Sequence, residues 1–265
     1  MRKIGIPFIL YALTLVSAFA ISCVFKSYAL SGILFTFLLP AAAVIHWKTS
    51  SRSMKELGVV RIRKWPAFLI AGLGIGILVP FIFMIIEYAL GWTNVGSPSA
   101  SLMQSARAQS VYAKIFMMYL SVTVEELVFR GYFLNALREK AGRAAAILLS
   151  SFLWGTGHLA SMVSAGIQPA QIAVGMATFT MWGCLLCLAY FIGRKSLWLP
   201  FGVHLGMNTA FSSTGLFFQK NPASPQWIVG HPDWSPETGL LGLSFYAAVL
   251  AVLLLTMKRP RTLSE

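Results

Sequence analysis

Long uninterrupted runs of apolar residues alternate with short polar segments along the whole chain. The runs are about 20 residues long, which is enough to cross a hydrocarbon core of about 30 Å at 1.5 Å per helical residue. They lack the alternation of apolar and polar residues that is typical of strands in a membrane barrel. The pattern therefore predicts an all-α polytopic membrane protein of about eight transmembrane helices, near residues 4–25, 28–47, 67–90, 111–137, 144–164, 170–192, 197–218 and 239–257.

The composition excludes a soluble globular domain. Of the 265 residues, 57% are hydrophobic and only 11% are charged, whereas soluble domains carry about 25% charged residues. That supply of charge is too small to cover a surface that faces water. With no internal repeat in the sequence, we expect a single transmembrane domain over residues 1–265.

The basic residues sort into alternate segments between the predicted helices. With the N-terminus placed in the cytoplasm, 16 Lys and Arg residues fall on the inner side and 4 on the outer side. This positive-inside distribution predicts a multi-pass protein of the cell membrane with both termini cytoplasmic. The net charge of +13 is then a topology signal with affinity for anionic lipid, and we expect no nucleic-acid partner.

Several small or polar residues inside the spans have structural interpretations. Gly72, Gly74 and Gly76 favour close helix packing, and Cys184 and Cys187 are expected to be buried free thiols rather than a metal or redox pair. Glu87 lies near the outer end of its span and is expected at the membrane interface.

Two adjacent carboxylates lie in the middle of the fourth predicted span. An ionised side chain at mid-bilayer costs about 2.5–3.5 kcal/mol on insertion scales, so Glu125 and Glu126 need partners or a function. Arg130 follows Glu126 by four residues, which places the two on one helix face in the favourable acid-to-base order. Glu125 is rotated by about 100° and is expected to have no partner within its own helix.

Two other spans carry polar residues that also favour the interior of the bundle. His158 lies deep in the fifth span, and His204 and Asn208 are four residues apart on one face of the seventh. A carboxylate beside an imidazole in a dry site can deprotonate a water molecule. A carboxamide and a second imidazole can donate hydrogen bonds to a developing oxyanion. These residue types therefore indicate hydrolytic chemistry, whereas any one of them alone would more often join helices.

Three short motifs in this order resemble the CAAX prenyl endopeptidase and bacteriocin-processing (CPBP, Abi) family of intramembrane glutamic proteases. The family's EExxxR matches Glu125, Glu126 and Arg130, and its HxxxN matches His204 and Asn208. Its FxxxH is met at His158 with one departure, because Trp154 stands where the family has Phe. The resemblance covers a catalytic core at about 111–218.

The resemblance implies a role for each of these residues. Glu125 would be the general base and His158 its partner in activating water, with His204 and Asn208 as the oxyanion hole. Glu126 and Arg130 would organise the site. It implies hydrolysis of a peptide bond in a peptide or protein substrate, prenylated or otherwise membrane-associated, near the cytoplasmic side. We expect no cofactor; Glu and His are also zinc ligands, so zinc dependence stays open.

Two functions of other classes remain as alternatives. A non-proteolytic scaffold that regulates a membrane partner would keep the same residues for structural reasons. A proton-coupled transporter would use intramembrane Glu and His as relay groups. The transporter would also predict an internal repeat with broken helices in both halves, which the sequence does not display.

Overall fold

The structure, a computed structural model, describes residues 8–9, 11–17, 20, 37, 39–49, 53–60, 62–96, 108–214, 218–221, 223–230 and 238–258. The first two predicted spans lie largely outside these residues. So do the predicted inner N-terminus, which carries Arg2 and Lys3, and the last residues of the chain.

Helices make up most of the described part of the chain, and one of them contains an eight-residue π-helical segment. The elements in chain order are α1 (Leu39–Thr49), a 3₁₀ turn (Met54–Leu57), α2 (Trp65–Ala89), β1 (Thr93–Val95), α3 (Ala108–Glu125), the π-helix (Glu126–Phe133), α4 (Leu134–Thr156), α5 (Leu159–Ser164), α6 (Pro169–Ile192), α7 (Trp198–Thr214), β2 (Phe218–Lys220), α8 (Gln226–Val229) and α9 (Leu240–Lys258).

The predicted all-α membrane fold is confirmed. Among the residues that the structure describes, three stretches are long and apolar enough to cross a membrane: Trp65–Ala89, Ile115–Ser164 and Pro169–Ile192. A further apolar helix, Leu240–Thr256, is shorter. Helix α6 is the most enclosed of them, because α4, α7 and α9 all pack against it. The number of eight spans stays a prediction.

The fourth and fifth predicted spans fold back on each other, because the Ser150 hydroxyl reaches the Phe129 carbonyl, 21 residues earlier in the chain, at 2.6 Å. Two breaks interrupt the helical backbone of these spans. The first break is at Gly142, whose φ of 79° and ψ of 173° lie in a region that only glycine adopts without strain. The second is at Gly157 and His158, between the end of α4 and the start of α5. The fifth span, predicted as an unbroken helix over 144–164, is therefore interrupted at His158.

Helices α2 and α7 lie backbone against backbone along a shared seam of glycines. A Cβ atom on Gly72 would come 2.5 Å from the Leu199 carbonyl oxygen, and one on Gly206 would come 2.5 Å from that of Leu73. Small residues permit such close approach, which confirms the predicted role of Gly72. The same prediction was wrong for Gly74, because a Cβ there would meet nothing within 4 Å. Since Gly76 in turn meets Val203 and Met207, the two helices run parallel.

The two parallel helices are also tied together at both ends. Before them, the Leu197 amide donates to the Gly58 carbonyl at 3.1 Å. After them, β1 and β2 pair antiparallel, with Thr93 opposite Lys220. This small sheet was not predicted, because each three-residue strand lies in a segment with the Ser, Gly and Pro content of a loop.

Two predictions about polar or sulfur-bearing side chains have different outcomes. Cys184 and Cys187 are buried free thiols, as predicted. Glu87 is only 1% exposed, so its side chain lies inside the bundle, and its depth at the membrane interface stays a prediction. The backbone turns immediately after it, where the Trp92 amide donates to the Glu87 carbonyl at 2.8 Å, and this turn folds the chain back over the end of the helix.

Candidate active site

Three segments bring the predicted site residues together. The junction of α3 with the π-helix carries the two glutamates and Arg130, the α4–α5 break carries His158, and α7 carries His204 and Asn208. The geometry of the site therefore depends on one change of helix type, one helix break and one glycine seam.

The π-helix is buried along almost its whole length. Side chains from α4 bond its carbonyls: Ser150 donates to the Phe129 carbonyl at 2.6 Å, and Asn135 donates to the Gly131 carbonyl at 2.7 Å. Such partners offset the poorer backbone bonding of a π segment, and π segments occur frequently at functional sites. The wider turn presents Glu126 and Arg130 to the bundle interior.

Glu126 is held by two basic side chains in a fully buried cluster. Its Oε1 atom lies 3.1 Å from Arg130 Nη1 and 2.8 Å from His204 Nδ1. The three side chains are at most 4% exposed. The predicted Glu126–Arg130 pair is thus present, and His204 joins it as a second partner that sequence spacing does not reveal.

The Arg130 guanidinium is enclosed more tightly than an ordinary ion pair. It lies 4.7 Å from the centre of the Trp154 ring, a distance at which an aromatic face attracts a cation. Its Nε, Nη1 and Nη2 atoms make no hydrogen bond with the residues that the structure describes, so its contact with Glu126 is an ion pair without hydrogen-bond geometry. Its positive charge is therefore balanced mainly by Glu126.

Glu125 has a different set of partners, and its side chain is 25% exposed. Ser121 donates to Oε1 at 2.7 Å, and the Trp154 indole donates to Oε2 at 2.7 Å. Ser121 lies four residues earlier on α3, so the expectation that Glu125 has no partner in its own helix was wrong. Both carboxylate oxygens are fixed by neutral donors.

His204 lies between the two glutamates. Its Nδ1 atom bonds Glu126, and its Nε2 atom is 3.9 Å from Glu125 Oε2. Since a carboxylate only accepts hydrogen bonds, we assign the Nδ1 proton to the bond with Glu126. Asn208, one turn further along α7, is half-buried and makes no hydrogen bond within the described part of the chain, so its amide is available to a ligand.

His158 is oriented by the helix break beside it. Its Nδ1 atom is 3.3 Å from the Trp154 carbonyl oxygen, and its ring stacks on Phe179 at 4.2 Å. A carbonyl can only accept, so the proton belongs on Nδ1 and Nε2 carries the free lone pair. His158 interacts electrostatically with Glu125, which places a base and a carboxylate in the same site.

Sequence reasoning missed three contributors to this arrangement. Ser121 carried a usable signal, because it precedes Glu125 by one helical turn. Phe179 carried none, since an aromatic residue in a buried apolar helix is usually core. Trp154 was noted only as a departure from a motif, and the hydrogen bond of its indole was not foreseen.

No group of three His, Cys, Asp or Glu side chains in the described ranges is arranged to hold a metal ion. The Nδ1 atom of His204 is already engaged by Glu126, so it is not free to serve as a zinc ligand. Metal dependence is a question for experiment.

A comparison with known families identifies the segment that carries this site. The family model described as Type II CAAX prenyl endopeptidase Rce1-like matches residues 107–210. No curated protein matches the chain. The matched residues include all six that were predicted to form the site and both helix junctions that position them. The match supports the family predicted from the three motifs: residues 107–210 are similar to the Rce1-like type II CAAX prenyl endopeptidases.

Proposed function

We propose that this protein is an intramembrane endopeptidase in which Glu125 and His158 activate the attacking water. One observation carries the proposal: of two adjacent carboxylates, Glu126 is 1% exposed and meets Arg130 and His204 through Oε1, whereas Glu125 is 25% exposed and accepts hydrogen bonds from Ser121 and Trp154. A general base has to reach both water and substrate, and only Glu125 has that access.

In this mechanism Glu125 takes one proton from water. The free Nε2 lone pair of His158 accepts a hydrogen bond from the other hydrogen of the same water, which stays bound to its oxygen. The resulting hydroxide attacks the scissile carbonyl carbon and forms a tetrahedral intermediate. Glu125, now protonated, then passes its proton to the leaving amine as the C–N bond breaks. Electrostatic contact between the two side chains supports this pairing.

The oxyanion would receive its hydrogen bonds from Asn208 and His204. The Asn208 amide has no competing partner among the described residues, and preorganised donors of this kind stabilise the transition state. His204 would donate through Nε2, which requires the imidazolium form because Nδ1 also donates. Glu126 would fix the orientation of the ring by its hydrogen bond of 2.8 Å to Nδ1.

The substrate class follows from the family and from the position of the site. The matching family is named for prenyl endopeptidases, so we propose membrane-associated peptides, prenylated ones among them, as substrates. His204 lies six residues after the start of α7, which is about 9 Å along a helix at 1.5 Å per residue. The site is therefore accessible to a peptide that approaches from one membrane face.

We propose that this face is cytoplasmic and that both termini lie there. The parallel course of α2 and α7 supports the orientation, because the charge distribution assigns both helices an inner start and an outer end. Cysteine labelling in intact cells should leave residues 48–66 unlabelled from outside and should label residues 219–238. Labelling of the first segment from outside would overturn the orientation.

Cleavage of defined peptides tests the proposed activity. Purified protein in detergent or lipid should cleave members of a peptide library presented with and without a C-terminal prenyl group. Glu125→Gln keeps the size of the side chain but removes the base, so hydrolysis should fall by about 10²–10⁴-fold while the peptide still binds.

Three outcomes would change the assignment. Full activity in Glu125→Gln would end the glutamic-protease proposal. Inhibition by a chelator that added zinc reverses would assign the reaction to a metalloprotease. Binding of a membrane protein by both the wild type and Glu125→Gln, without cleavage by either, would favour the scaffold.

A further inference from the structure

Trp154 occupies the centre of the site rather than its edge. It lies in the last turn of α4, where it is 2% exposed. Its ring meets the imidazoles of His158 and His204 edge-on, with centroids 5.0 and 5.5 Å away. A side chain that contacts both imidazoles and the guanidinium of Arg130 is well placed to set their mutual geometry.

The polar contact of Trp154 is the more specific observation. Its Nε1–H donates to Glu125 Oε2 at 2.7 Å, while Ser121 donates to Oε1 at the same distance. Two donors on different helices fix the plane of a carboxylate, because each holds one oxygen. Phenylalanine, which the family motif has at this position, has no polar hydrogen and could hold neither oxygen.

We propose that Trp154 is a positioning residue that orients the Glu125 carboxylate through its indole N–H. The inference rests on the proposed role of Glu125 as the base. The Oε2 atom that Trp154 holds is also the one 3.9 Å from His204 Nε2. Trp154 thus fixes the carboxylate relative to the residue that is proposed to bind the oxyanion, and it does so in a way that the family's phenylalanine does not.

The kinetic test compares two tryptophans of equal burial. Trp154→Phe retains an aromatic ring but loses the donor, so kcat should fall by about tenfold, or about 1.4 kcal/mol, with KM within about twofold. Trp47 is also 2% exposed and donates to a backbone carbonyl, that of Ser53, at 3.0 Å. Trp47→Phe should therefore leave kcat unchanged, although it loses a hydrogen bond of the same kind.

A spectroscopic test examines the hydrogen bond without relying on activity. In protein labelled with ¹⁵N at the indole nitrogen, the Trp154 resonance is identified by its loss in Trp154→Phe. This resonance should shift in Glu125→Gln, because the acceptor changes from a carboxylate to a neutral amide. The Trp47 resonance, assigned in the same way, should stay in place.

The outcomes separate this inference from the proposed function. Wild-type kcat in Trp154→Phe, together with an inactive Glu125→Gln, would overturn the positioning role alone. Full activity in Glu125→Gln would overturn both. A Trp154 resonance that does not respond to Glu125→Gln would also overturn the inference, whether or not a cleavable peptide has been found.

Discussion

Glu125 and Glu126 are chemically identical neighbours that both lie beside His204 but differ in exposure and in their other partners. Glu126 is 1% exposed and is bonded to an arginine and a histidine. Glu125 is 25% exposed and receives its hydrogen bonds from a hydroxyl and an indole. In the proposed mechanism, the partners of each carboxylate, rather than its depth in the membrane, separate the structural role of Glu126 from the chemical role of Glu125.

The origin of the difference is the backbone. Successive residues on a helix point about 100° apart, so two adjacent glutamates cannot share one set of partners. The change from α-helix to π-helix falls between them, and it directs Glu126 towards Arg130 and α7. Glu125, the last α-helical residue, instead faces Ser121 and the end of α4.

The largest effect is expected from Arg130→Ala, which tests the structural side of the comparison. Its removal would leave Glu126 buried with one partner fewer, and breaking a buried pair costs about 3–5 kcal/mol. Thermal unfolding of the purified variant should show this loss. Glu125→Gln, the matched control, should unfold close to the wild type because its side chain is partly exposed. Equal stability of the two variants would contradict the division of roles.

A smaller effect, on turnover alone, is expected from Asn208→Ala, which tests the chemical side. The Asn208 amide makes no hydrogen bond with the described residues, so its removal should leave folding unchanged. Loss of one oxyanion donor lowers turnover by about 10²–10³-fold. Single-turnover cleavage and separate peptide binding would distinguish the two quantities. If Asn208→Ala instead weakened binding and cleavage equally, the amide would be a substrate contact with no preference for the transition state.

Spacing along the sequence was sufficient to predict contacts within one helix. The pairing of Glu126 with Arg130 follows from four-residue spacing, and the close approach at Gly72 follows from the lack of a side chain. For contacts between helices, the sequence predicted only that the polar residues lie in one place. Polar residues in an apolar bundle face inward, so His158 and His204 were expected near the glutamates. Their individual partners were not predictable.

What escaped prediction depends on backbone geometry that no local pattern encodes. The π-helix has the same composition as an α-helix, and it decides which face each residue after Glu125 occupies. The break at His158 follows a glycine in an otherwise helical sequence, a weak signal where glycine is common within spans. The indole of Trp154 reaches Glu125, 29 residues earlier in the chain, because the backbone leaves helical geometry at Gly142 between them.

In the proposed mechanism, the position of His204 and Asn208 depends on glycines in the seam between α2 and α7, which have no Cβ atom to hold the two backbones apart. Helices with ordinary side chains at their crossing stand 8–10 Å apart, but here each glycine leaves out the methyl group that would force the backbones to separate. One added methyl at Gly72, Gly76, Gly202 or Gly206 would act as a wedge and move His204 and Asn208 away from Glu125. Substitutions at these four glycines are therefore expected to lower activity although none of them has a functional group. They would act by increasing the distance from Glu125 to His204 and Asn208.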